Sequence, residues 1–160
     1  MNQSTPAQQR DNISYEVSGE NSKYTLLQSL DVADMPGYSL TLYELHRTFP
    51  KDPPMFAGVH LKDQWVRGTT DTVNGNGTVI GYVVYNLENG DKIFGKFDGI
   101  SQAATGQSPD KRTVTGSIVL TGGTGKMHGI RGILHVLTDT DLSIALNVTK
   151  CEGECWMEKE

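Results

Sequence analysis

Tyr38-Ser39-Leu40-Thr41-Leu42-Tyr43-Glu44-Leu45-His46-Arg47 is the stretch that decides the fold class. Side chains of a strand alternate between two faces, so a period of two is the mark to look for. Here Tyr38, Leu40, Leu42, Glu44 and His46 share one face. Ser39, Thr41, Tyr43 and Leu45 share the other. Pro50, Pro53 and Pro54 end the run, because proline has no N–H for a ladder. Working outward, a second run surrounds Gln64-Trp65-Val66-Arg67, and Asn74-Gly75-Asn76-Gly77 follows as a hairpin signal. Thr78 to Tyr85 reads as apolar on both faces, which predicts a cover outside the sheet. Glu88-Asn89-Gly90-Asp91 predicts a tight turn. Lys92–Phe97, Arg112–Thr121, Ile133–Thr138 and Leu142–Lys150 predict the remaining strands. In the last, Leu142, Ile144, Leu146 and Val148 face one way, and Ser143, Ala145, Asn147 and Thr149 the other.

No long window has helical periodicity. Short strands joined by turns predict an all-β meander, and closing it into a single antiparallel eight-stranded barrel would remove its edges. Residues 1–37 are polar and rich in Gly, Asn and Ser. They predict a flexible N-terminal arm in which Tyr24-Thr25-Leu26-Leu27 packs as a short segment or strand. Residues 38–160 are then the barrel domain. A barrel of this size holds one small ligand.

The chain has 160 residues, enough for one domain with a real core. Its formal net charge of −5, with no Lys/Arg cluster, argues against nucleic acid and anionic membranes as partners. No stretch approaches the length of a membrane span. Met1-Asn2-Gln3-Ser4-Thr5-Pro6 is polar and shows no apolar signal region, so the expectation is a cytoplasmic protein, or a trimmed secreted form. Cys151 and Cys155 are two thiols four residues apart. Reduced thiols on a C-terminal tail and a disulfide across a short Gly-containing loop are both open readings. Two such ligands cannot complete a zinc site alone, and the scattered histidines add no ligand spacing. Neither a metal nor an organic cofactor is expected.

Thr121-Gly122-Gly123-Thr124-Gly125-Lys126-Met127-His128-Gly129-Ile130-Arg131-Gly132 places five glycines in one corner. Such a run lets strands pass through a tight, bulged turn that Cβ atoms would block. It resembles the T-G-G-[ST]-G-x-[FM]-x-G-[AIV]-x-G turn of the allene oxide cyclase and dirigent barrels. Leu42-Tyr43-Glu44-Leu45-His46 through Pro53 is similar to the Y-E-I-N…S-P stretch of the allene oxide cyclases. The resemblance implies a barrel of that type, with Glu44 inside it stabilising positive charge on a substrate and Pro53 at a bound water. His46 and Asp52 stand where that pattern has Asn and Ser, so the water-bound epoxide chemistry does not carry over intact.

The catalytic candidates are Glu44 and His46, two same-face residues able to share a pocket and move a proton if that face lines the lumen. Alternatively, Glu44 pairs with Arg67 or Arg112. The substrate-binding candidates are Leu40, Leu42, Pro53, Trp65, Tyr82, Phe97, Arg112 and Asn147. The expected function is a cofactor-independent cyclase, isomerase or lyase on an apolar or aromatic small molecule. The alternative is a carrier or dirigent-like orienting protein. The two-sided Thr78–Tyr85 run adds a homo-oligomer, dimer or trimer, as an expected assembly.

Overall fold

The computed structural model describes residues 9–159. The Met1–Pro6 stretch, the first eight residues of the expected arm and Glu160 lie outside the described residues. The described residues form ten antiparallel strands: β1 (Arg10–Val17), β2 (Ser22–Asp31), β3 (Tyr38–Thr48), β4 (Met55–Phe56), β5 (Val59–Val73), β6 (Asn76–Leu87), β7 (Lys92–Gln102), β8 (Lys111–Gly123), β9 (Ile130–Asp141) and β10 (Leu146–Met157). Their order is β1-β10-β9-β8-β7-β6-β5-β3-β2, with the short β4 paired to β5 alone. The long strands from β5 to β10 form a meander of neighbours, as the turn spacing predicts.

Two expectations are corrected here. The sheet has ten strands, not eight, and it is not a closed barrel: among the described residues no backbone ladder joins β1 to β2. Of the expected N-terminal arm, 18 of the 29 described residues are instead strand. Arg10–Val17 pairs with β10 and Ser22–Asp31 pairs with β3, so residues 10–31 supply both edges of the sheet. Their alternation is hidden by charged and polar residues on the outer face. In β1 only Ile13, Tyr15 and Val17 are buried.

The sheet nevertheless rolls up. The Tyr15 hydroxyl on β1 lies 2.8 Å from that of Tyr85 on β6. Five strand steps separate them, about 24 Å on a flat sheet. Ser22 on β2 bonds Asn147 on β10 at 3.2 Å, across seven steps or about 34 Å of flat sheet. The two edges therefore face each other along a seam bridged by side chains. Inside the roll lies the core, with Phe56, Leu61, Val83, Tyr85, Ile93, Leu120, Ile130 and Leu134 among its buried residues.

Local devices set which side chains point inward. A bulge between Tyr24 and Leu26 adds one residue to β2, so Tyr24 and Leu27, three apart, both face the interior. A second bulge, where Phe94 pairs with Gly122 and Gly95 with Leu120, bends the β7–β8 pair at the Gly-rich corner. There a Cβ on Gly123 would stand 2.3 Å from the Lys92 carbonyl oxygen. Lys126 N–H donates to the Asp91 carboxylate across this corner. The corner is thus a packed strand turn, as its glycines predict.

Two further strand expectations are adjusted. Leu142–Ile144 is a short 3-10 turn, where Asp141 accepts from Ser143 N–H and Ala145 takes φ +50°. The final strand begins at Leu146 and runs to Met157, so the cysteines lie in a strand between β1 and β9, not on a tail. On β6, the outward Ile80 and Tyr82 are 48% and 64% exposed, with the Lys96 ammonium 5.9 Å from the Tyr82 ring centroid.

The inward and outward faces make unequal demands on side chains, which gives a direct test. Leu134 is fully buried, whereas its neighbour Ile133 on the opposite face is 46% exposed. Leu134→Ala should cost about 2–5 kcal/mol in urea unfolding, through lost burial and a residual cavity. Ile133→Ala should cost about 0.5 kcal/mol. Equal losses would contradict the assignment of faces.

Candidate functional site

On β3 the burial pattern places Thr41, Tyr43, Leu45 and Arg47 inside, and Leu40, Leu42, Glu44 and His46 outside. The interior is therefore the face opposite to the one assigned to the catalytic pair. Glu44 receives the Thr25 hydroxyl at 2.7 Å and the Arg67 Nε at 2.7 Å. The Thr25 hydroxyl and the Arg67 guanidinium hold its carboxyl below the usual value. A carboxylate that is paired and half-open to solvent is poorly suited to be an acid near neutral pH. His46 stacks on Trp65 with ring centroids 4.1 Å apart and lies 3.1 Å from Asp63. Asp63 in turn accepts from Asn86, which accepts from Lys92. This is a surface network on β3, β5, β6 and β7.

The binding candidates divide in the same way. Leu40, Leu42 and Tyr82 are exposed on the outer face, and Trp65 lies there against His46. The carbonyl of Pro53 lies 3.3 Å from His60 Nδ1, beside β4. Phe97, Arg112 and Asn147 do line the interior. The structure brings these three together and separates them from the other seven.

Their common setting is a cavity inside the roll. Its volume is about 70 Å³. Most of the wall is apolar: Leu27, Leu45, Val66, Val79, Val83, Val114, Ile118 and Val136, with the rings of Tyr43 and Phe97. Among the described residues no Asp, Glu, His, Lys or Cys lines it.

A linked part of the polar lining lies beside the seam, while Thr70 on β5 and Ser101 on β7 lie away from it. Arg47 is 6% exposed and donates to three neutral acceptors: Ser22 Oγ at 3.2 Å, Gln64 Oε1 at 3.3 Å and Asn147 Oδ1 at 3.0 Å. Asn147 Nδ2 donates to the Tyr24 hydroxyl, which lies 3.0 Å from Thr140 Oγ1. Thr140 is the cross-strand partner of Arg112. Arg112 is 8% exposed, and its Nε donates to the Pro109 carbonyl at 2.7 Å. Its Nη1 is buried with no hydrogen-bond partner. Burial lowers the Arg112 pKa from its ordinary value, yet a guanidinium keeps its charge in a protein.

Sequence reasoning missed Arg47, Tyr24 and Thr140. Arg47 had a usable signal, since it continues the Thr41, Tyr43, Leu45 parity by one step. Tyr24 had none, because the bulge that turns it inward leaves no mark in the local pattern.

Tyr15 and Tyr85 form a hydroxyl pair in the interior, and burial pushes both phenols well above their usual value. Cys151 and Cys155 are free and buried, which answers the question their spacing left open. Burial pushes each thiol up to about 11. Among the described residues no group of three His, Cys, Asp or Glu side chains stands ready for a metal. No helix among the described residues is long and apolar enough to cross a membrane.

Compared with protein-family models, curated proteins and solved structures, the chain shows no match to any of them.

The raised thiols give a pH dependence of definite sign. In the unfolded chain they ionise near 9, and in the fold near 11. Between those values the folded state holds more protons, so stability falls as pH rises. The contribution is complete below about pH 9 and is lost as pH rises through about 11. Urea midpoints should therefore drop steadily above pH 9. The double variant Cys151→Ala, Cys155→Ala should flatten the drop in its first unit, before tyrosines contribute.

Proposed function

We propose that this protein binds a small, largely apolar molecule inside the rolled sheet, as a carrier or an orienting host. The observation that carries this reading is the cavity itself. Its wall is largely aliphatic and aromatic, with a hydrogen-bonded polar set of Arg47, Asn147, Tyr24 and Thr140 and further polar groups, among them Thr70 and Ser101, elsewhere on it. That is the usual composition of a small-molecule site. A filled interior would leave no such space. The resemblance of Thr121–Gly132 to the allene oxide cyclase and dirigent turn supports a host for small apolar compounds. The catalytic version of that resemblance loses its two groups, because Glu44 and His46 lie on the outer face, engaged with Arg67 and Asp63.

Native mass spectrometry of protein taken directly from its producing cells, followed by solvent extraction, tests the proposal. Wild type and Glu44→Gln should carry the same added mass, and the compound should be recovered unchanged from both. Val136→Phe inserts a ring where the cavity lies and should lose the added mass. Its cooperative thermal unfolding, followed by circular dichroism, should be retained at a cost of about 1–3 kcal/mol for overpacking. A compound retained equally by Val136→Phe would place binding elsewhere and end this reading. A compound converted by wild type and held unconverted by Glu44→Gln would restore the catalytic reading.

A further inference from the structure

Among the described residues, the cavity is lined by two buried guanidinium groups and no carboxylate. We infer that its ligand carries an anionic head, a carboxylate or a group of similar charge, bound beside the seam by Arg112 together with the Arg47–Asn147 pair. This rests on the binding role proposed above and specifies the class of ligand.

The argument begins with electrostatics. A buried charge is costly unless it is paired as well as hydrogen-bonded. Arg47 has hydrogen bonds but only to neutral oxygens. Arg112 has one hydrogen bond, to a carbonyl, and a buried Nη1 with no partner. Among the described residues, neither arginine forms an ion pair with an acidic side chain. Asp110 acts on Arg112 through space without pairing with it. The acidic side chains that do pair with arginines, Glu44, Glu154 and Glu158, do so outside the cavity.

Hydrogen bonds run from Arg47 through Asn147 and Tyr24 to Thr140, the cross-strand partner of Arg112, so both guanidinium groups lie along one polar run of the wall, and among the described residues no acid lines it. The planar fork of a guanidinium suits the two oxygens of a carboxylate. Thr70, also on the cavity wall, has a buried hydroxyl oxygen without a partner, a further polar contact to be made. The chain as a whole carries −5, so its overall field repels an anion. Any preference for an anion must then come from these local cations.

Octanoate and 1-octanol make the test, since they share a chain and differ in the charge of the head. Binding is measured by isothermal titration calorimetry at pH 7.5 on the full chain. Wild type should bind octanoate about 10- to 100-fold more tightly than 1-octanol, the range expected for hydrogen bonds to a charged partner. Arg112→Gln should remove most of that preference and leave 1-octanol affinity within about twofold. Arg112→Lys keeps the charge without the fork and should fall between the two. If Arg112→Gln does not fold, shown by loss of its cooperative melt, Arg112→Lys and the wild-type ratio still decide the matter. Equal affinity of wild type for the two compounds would overturn the anionic head and leave the apolar binding role intact. Preference unchanged in Arg112→Gln or Arg112→Lys would overturn the assignment to this cluster. Binding of neither compound would overturn both this inference and the proposal on which it rests.

Discussion

A guanidinium inside a protein must have its N–H groups satisfied, and Arg47 obtains this from three other strands at once. It starts on β3 and reaches Ser22 on β2, Gln64 on β5 and Asn147 on β10. No flat sheet brings β2 and β10 within reach of one side chain. The roll, the seam and the position of the cavity all follow once these contacts are made. Each partner is itself held. Ser22 bonds Asn147, and Asn147 bonds Tyr24. Buried polar networks are stabilising only when their members are nearly all satisfied. The Gln64 amide nitrogen has no partner, so this network is tight on its acceptor side and incomplete on its donor side.

The interior also separates two kinds of charge pairing. Outside, Glu44 meets Arg67 and His46 meets Asp63, in ordinary surface arrangements that water screens. Inside, arginines stand without acids in a setting where screening is weak. The same strand, β3, supplies a carboxylate to the outside and a guanidinium to the inside within four residues. Alternation along one strand is enough to create this contrast.

Alternation was also the part most legible in sequence. The strands from Tyr38 onward, the hairpin at Asn74–Gly77 and the Gly-rich corner are all present, because period, turn chemistry and missing Cβ atoms are local properties. Which face turns inward is not local. The usual guide, that the apolar face is the buried one, fails on β10: Asn147 and Thr149 are buried while Leu146 and Val148 are half-exposed. It fails on β3 as well, where Leu40 and Leu42 face outward and Thr41 and Arg47 inward. A polar cluster at the seam reverses the rule there, and that reversal moved Glu44 and His46 from the expected interior to the surface. Apart from Tyr24–Leu27, expected as a short segment or strand and found in β2, the first two strands were illegible for a related reason. They are edges, and their outer faces are charged and polar as edge strands commonly are.

The seam has a consequence for the size of the enclosed space. In a closed barrel, strand number and register dictate the circumference, so an altered bore demands a different backbone. Here the last step around the wall is spanned by Arg47, Ser22, Tyr24 and Asn147 rather than by a ladder. The girth of the roll therefore depends on the lengths of a few side chains. Exchange of one such residue for a longer or shorter one would let out or take in the wall as a tailor alters a garment at its seam, with every strand pairing left in place.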